Sequence, residues 1–176
     1  PMGRARDTAS LTLKAVDREA VVCEWLREFS CSIKRPDSEG RKIPWDWLPQ
    51  DWTVCDEFYG NDSWHDNEIM REANVGAEYK WATDGLDKLL AVHGYERNGR
   101  CYEVRKASND TIAMFCHFGV ECVLLSHLIN VSPMVLWHGM CALPSSVTTV
   151  VTEERRKGIA SFRITGFGDI SHLYAG

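Results

Sequence analysis

The residue that draws attention first is His117, in Phe115-Cys116-His117-Phe118-Gly119-Val120. An apolar run, Thr111 to Cys116, ends at this imidazole, and a helical pattern begins one residue later. In open α/β sheets, ligands bind beyond the carboxyl ends of strands. Gly119 lets a backbone approach closely, and the helix that follows offers free N–H groups to an anion. An imidazole donates a hydrogen bond to phosphate in either charge state. The same pattern also suits a histidine that merely caps the helix, and the residues alone leave both readings open. The second candidate is Arg4, in Gly3-Arg4-Ala5-Arg6-Asp7-Thr8-Ala9. A guanidinium at the start of a helix makes bidentate bonds to phosphate, or it simply stands in water.

Elements must bring such groups together. Asp7-Thr8 offers a cap, and the spacing predicts a helix over 7–17 with Ala9, Leu11, Leu13 and Val16 as its apolar stripe. Val21-Val22-Cys23 reads as a short strand leading to Trp25 and Glu28. Residues 30–64 form an insert broken by Pro36, Pro44 and Pro49 and crowded with Trp45, Trp47, Trp52 and Trp64. Those rings predict a small satellite core, a wall around a pocket, or both. Residues 66–92 are helical in pattern, with Gly76 and Gly85 as weak points. Asn98-Gly99 between Tyr95-Glu96-Arg97 and Arg100-Cys101-Tyr102 predicts a hairpin. A strand at 111–116, a helix at 118–129 and strands at 147–152 and 159–165 complete the reading. Strands alternate with helices, so the expected fold class is α/β: a three-layer α/β/α domain with a mostly parallel sheet and an antiparallel edge.

The chain has 176 residues, 44% hydrophobic and 26% charged, which suits a single domain with one core. Its formal charge is −5, and its densest basic run, Arg155-Arg156-Lys157, follows directly on Glu153-Glu154. That run reads as a solvated turn, so no nucleic-acid partner is expected. Seven cysteines include no Cys-x-x-Cys pair, which argues against a zinc knuckle or a redox pair. Reduced thiols in a cytoplasmic protein fit best. No apolar stretch approaches the roughly 20 residues of a membrane span, and no signal peptide is seen. The opening, Pro1-Met2-Gly3-Arg4, lacks an initiating methionine, and the chain reads as an N-terminally truncated piece of a longer protein.

Together the two motifs resemble those of the histidine phosphatase superfamily, which includes the cofactor-dependent phosphoglycerate mutases. Members carry a Ser-Pro-x-x-Arg-Ala-x-x-Thr-Ala segment, matched by Pro1 to Ala9 without the leading serine. A later strand-His-x-Gly-Val-helix segment is matched by Phe115 to Leu128. The tail, Leu143 to Thr148 and Phe167 to Leu173, also looks like a subgroup of this family, and the 30–64 insert is the least typical part. The resemblance implies one phosphoglycerate mutase-like domain over 1–176 that hydrolyses a small phosphomonoester through a phosphohistidine, with no cofactor or metal. Carried over, Arg4 and His117 hold the phosphoryl oxygens. Glu28, in Leu26-Arg27-Glu28-Phe29, is the expected proton donor, with Glu24 its rival. Ser146 and His172 are expected to border the substrate pocket, or to serve as turn and surface residues.

The family's nucleophile lies in an Arg-His-Gly motif at the end of its first strand, and this chain contains none. His93-Gly94 and His138-Gly139 follow Val92 and Trp137 and end no apolar strand. The implied outcome is no phosphatase turnover from these 176 residues alone. The partner expected is a small phosphorylated substrate, not a membrane, and a homo-oligomer is compatible with the sequence. Two other readings stand beside this one: a non-catalytic phosphate-binding or protein-interaction domain, and a cysteine hydrolase using Cys116. The last is disfavoured because neighbours in a strand point to opposite faces.

Overall fold

The computed structural model describes residues 3–40 and 42–174. Ten helices and strands alternate with loops and three single-turn 3-10 helices. They are α1 (Gly3–Val16), α2 (Pro49–Trp52), α3 (Glu68–Glu72), α4 (Val75–Val92), β1 (Tyr95–Asn98), β2 (Cys101–Val104), α5 (Phe118–Ile129), α6 (Pro133–Gly139), β3 (Val147–Arg156) and β4 (Ile159–Asp169).

The centre of the molecule is α5. Gly119, Val120, the run Cys122 to Ser126, and Leu128 are all buried, as expected of a helix that is apolar around its whole circumference. It starts after His117, whose backbone is extended, and ends at Asn130, whose left-handed φ of 59° stops it. Helix α6 packs beside it. Ser132 accepts a hydrogen bond from the Met134 N–H, and Pro133 occupies the first turn, where a missing N–H costs nothing.

The four strands form one antiparallel sheet in the order β1-β2-β4-β3. This corrects the sequence reading. A mostly parallel three-layer α/β/α sheet of the phosphoglycerate mutase-like kind is not found. The expected strands at 21–23 and 111–116 pair with nothing among the described residues. An apolar run becomes a strand only when a neighbour takes up its backbone N–H and C=O groups, and no described segment does so here. Val21 stands 87% exposed, far from the buried strand its side chain suggests.

The local signals that needed no distant partner hold. The Asn98-Gly99 hairpin forms, with Tyr95 opposite Val104 and Gly99 at φ 59°. Strands β3 and β4 pair antiparallel around the turn at Gly158. The helical stretch over 66–92 is broken, but at Asn74, whose left-handed backbone separates α3 from α4, rather than at Gly76 or Gly85. Helix α1 buries Ala5 and Ala9 and leaves Leu11 and Val16 exposed, so its core face is narrower than the expected stripe.

The 30–64 insert joins the main core instead of forming a satellite. Trp47, Phe58 and Trp64 share one buried cluster with Phe29, Val120 and Trp137. Trp64 meets Trp137 edge-on, with centroids 5.6 Å apart, and Phe29 tilts against the same ring at 5.4 Å. Among the described residues, no helix is long and apolar enough to cross a membrane.

Candidate functional site

His117 sits where the irregular segment 105–116 turns into α5. The residue is 9% exposed, and its Nε2 is buried with no hydrogen-bond partner among the described residues. A buried polar nitrogen without a partner costs roughly 1–3 kcal/mol, so such an atom points to a ligand. Burial, and then the charge of Arg4, hold the imidazole below its ordinary pKa. Both effects favour the neutral ring.

Arg4 lies in the first turn of α1. Its charge is felt by both His117 and Glu28. Glu28 meets the start of α5, the helix that His117 caps, and the charge of Arg4 reaches both groups, although no described hydrogen bond or ion pair joins Arg4 to either. The Pro1-Met2 part of the Arg4 motif lies outside the described residues.

Glu28 follows the single turn Glu24–Leu26. Its Oε1 accepts hydrogen bonds from the Phe29 N–H at 2.8 Å and the Val120 N–H at 3.1 Å. The second bond alters the expected picture of the anion site. Free N–H groups at the start of α5 do not all await a ligand, because the Glu28 carboxylate already caps them. Desolvation nevertheless wins over these bonds and over Arg4, and the Glu28 carboxyl titrates above the ordinary range. A raised carboxyl next to a cation and an orphaned imidazole is the electrostatic signature of a proton donor. Glu24, the rival, opens that single turn.

Gly119 makes the approach possible. A Cβ there would lie 2.6 Å from Glu28 Oε1 and 2.7 Å from Trp45 Nε1. The Trp45 indole N–H donates to the Phe29 carbonyl at 3.0 Å, and its ring meets Phe118 edge-on. Gly119→Ala is expected to push Glu28 or Trp45 aside and to destabilise the fold by roughly 1–3 kcal/mol, as overpacked sites do. Urea unfolding measures it, and a change within about 0.5 kcal/mol would contradict this packing.

Two groups here escaped the sequence reading. Glu121, in the first turn of α5, is half-buried and titrates high because of burial, partly offset by a hydrogen bond with Thr148. The Thr148 hydroxyl also accepts the Gly168 N–H at 3.1 Å. The signal for Glu121 was present, since it is the one acidic residue in an otherwise apolar helix. Thr148 carried none.

The other expected site residues fall elsewhere. Ser146 belongs to the turn before β3, with its N–H bonded to the Leu143 carbonyl. His172 is exposed in the final turn Ser171–Leu173, where its charge acts on Asp169. No described contact links either to His117. Cys116 is poorly placed to act as a nucleophile. Burial and the nearby Glu121 carboxylate push its thiol up to about 12, and a thiol so rarely ionised at pH 7 attacks poorly.

Three further imidazoles are occupied. His138 accepts the Trp47 N–H at 3.0 Å and places Nδ1 2.7 Å from the Met134 carbonyl. His93 pairs with Asp110 at 2.7 Å, and His127 with Asp87 at 2.9 Å. No described histidine, cysteine, aspartate or glutamate cluster has the makings of a metal site.

No family model matches the chain, and neither a curated protein nor a solved structure does.

Proposed function

We propose that this chain carries the phosphoryl-binding and proton-donating groups of a phosphatase that cleaves a small phosphomonoester through a phosphohistidine. One observation supports this most strongly: a buried imidazole nitrogen without a described partner and a half-buried carboxyl of raised pKa both feel the charge of one guanidinium. Arg4 and His117 bind the phosphoryl oxygens, where the transition state spreads its charge. An imidazole nitrogen attacks phosphorus, the P–O ester bond breaks, and Glu28 gives its proton to the departing oxygen. Water, losing its proton to the Glu28 carboxylate, then attacks phosphorus. The N–P bond breaks, inorganic phosphate leaves and the imidazole is restored. A cavity of about 300 Å³ bordered by Trp45, Phe118 and Trp137 adjoins Gly119 and suits the organic part of the ester.

This reading assigns the attacking imidazole to none of the described histidines, and the test below supplies it on an added strand. Two features suit a strand in that role. Among the described residues strand β3 pairs only with β4, and an unpaired edge is a template for another strand. Residues 111–116, which lead into His117, pair with no described strand. Glu121 lies between them, close to Cys116 and bonded to Thr148 of β3.

The test compares two chains. The 176 residues alone are expected not to hydrolyse p-nitrophenyl phosphate. A chain extended at its N-terminus by a strand ending in Arg-His-Gly is expected to hydrolyse it and to yield an acid-labile, alkali-stable phosphoenzyme. Turnover by the 176 residues that His117→Ala abolishes would overturn the need for an added nucleophile. Failure of the extended, folded chain to form a phosphoenzyme would favour the competing reading, a non-catalytic phosphate-binding domain. The capping of α5 by Glu28 is the observation on that side.

A further inference from the structure

A second cavity lies at the other end of α5, about 15 Å along the helix from His117 at 1.5 Å per residue. It measures about 350 Å³ and is lined by Asp62, His65, Tyr79, Arg97, Arg100 and His127, among others. It shares no lining residue with the His117 site.

Arg97 is the informative group. Its Nε donates to the Gly99 carbonyl at 2.7 Å, Nη1 to the Tyr102 hydroxyl at 3.2 Å and the His127 carbonyl at 3.0 Å, and Nη2 to Asn130 Oδ1 at 2.8 Å. All four acceptors are neutral. Among the described residues no carboxylate stands within ion-pair distance of this half-buried cation. The nearby Asp87 carboxylate is already taken by the His127 ring and the Tyr102 hydroxyl. A partly buried charge is ordinarily paired. A guanidinium has five N–H groups, so one on Nη2 is left over at a cavity wall. Arg100 adds a second cation. Its one carboxylate partner is the exposed Asp62, an exchangeable pair of little intrinsic strength.

We propose that this cavity binds the phosphate or carboxylate group of a small anionic molecule, with Arg97 and Arg100 as its cations. The proposal is independent of the chemistry at His117. Arg97 is pre-ordered by its four neutral acceptors and pays little further entropy on binding. Arg100 exchanges Asp62 for the ligand. Tyr79 and His65 offer an aromatic wall for an organic body.

The whole chain is titrated with inorganic phosphate and, separately, with sodium acetate at constant ionic strength, while histidine Cε1–H signals are followed by NMR. His65 and His127 are expected to shift saturably, with a midpoint distinct from any response of His117. Arg100→Gln is expected to weaken that midpoint about tenfold, the usual loss for a hydrogen bond to a charged group. Asp62→Asn, which releases Arg100, is expected to tighten it several-fold. A stronger response to phosphate assigns a phosphoester as ligand, and a stronger response to acetate assigns a carboxylate. Phosphate and acetate both leaving His65 and His127 unmoved would overturn the proposal. Shifts at those rings that Arg100→Gln does not weaken would overturn it equally.

Discussion

In a chain supplied with the Arg-His-Gly strand, Glu28→Gln lowers the hydrolysis of an alkyl phosphate by about 10²–10⁴-fold, the usual contribution of a positioned general acid. The same change affects p-nitrophenyl phosphate far less. Nitrophenolate is a stable anion and leaves without a proton, whereas an alkoxide does not. The ratio between the two substrates is therefore the readout, and a mere loss of structure would lower both rates alike. Stability supplies a second readout. The Glu28 carboxyl titrates above its ordinary range because burial outweighs its hydrogen bonds. Across the window between the unfolded and folded pKa values, the native state keeps a proton that the unfolded chain has lost. Stability then falls as pH rises through that window, and stays reduced above it. Glutamine keeps an Oε1 for the Phe29 and Val120 N–H groups and removes the charge. Glu28→Gln is thus expected to be as stable as the parent, or more so, at neutral pH in urea unfolding, as is common where a residue serves function at a cost in stability. A marked destabilisation would identify Glu28 as a helix cap and little else.

Arg4→Ala has the second large effect. The guanidinium is the one cation whose charge reaches both His117 and Glu28. In the extended chain its removal is expected to lower kcat/KM for either substrate by about 10²–10³-fold, the scale seen when a transition-state oxyanion loses a donor. Arg4→Lys should recover only part of this, since an ammonium keeps the charge but loses the planar fork. Helix α1 tolerates both changes, because Arg4 is exposed and the helix is anchored through Ala5 and Ala9. Full activity in Arg4→Ala would remove it from the site.

What could be read from the sequence divides along a physical line. Helix α5, the Asn98-Gly99 hairpin and the β3–β4 pair are governed by neighbours within a few residues, so periodicity and turn chemistry reveal them. The parallel sheet rests on an alternation of strands with helices, in which apolar runs such as Thr111 to Cys116 count as strands. Such a run records which side chains avoid water. It does not record whether a second backbone lies alongside, and among the described residues none does. The same distinction separates the site residues. His117 and Arg4 are marked by their positions at the starts of helices. The bond between Glu28 and the Val120 N–H spans 92 positions, and no spacing rule reaches that far. Sequence placed free N–H groups at the start of α5, and the fold fills them with that carboxylate. Ser146 and His172 were placed by the order of their motifs alone. Order along the chain does not decide which end of a strand a loop reaches, and in the structure neither meets His117. Glu121 shows the reverse case, since a lone acid in an apolar helix was visible and its contact with Thr148 was not.

The central claim is that Arg4, Glu28 and His117 share one anion pocket, and the titration of the His117 ring tests it most directly. By NMR, the free chain should show His117 with a pKa below that of an ordinary histidine. Saturating inorganic phosphate should raise it, because an anion favours the charged ring. Arg4→Ala should also raise it in the free chain, by removing a neighbouring positive charge, and should abolish the further rise with phosphate. A His117 pKa that neither phosphate nor Arg4→Ala moves would place the guanidinium and the imidazole in separate surroundings and contradict the account.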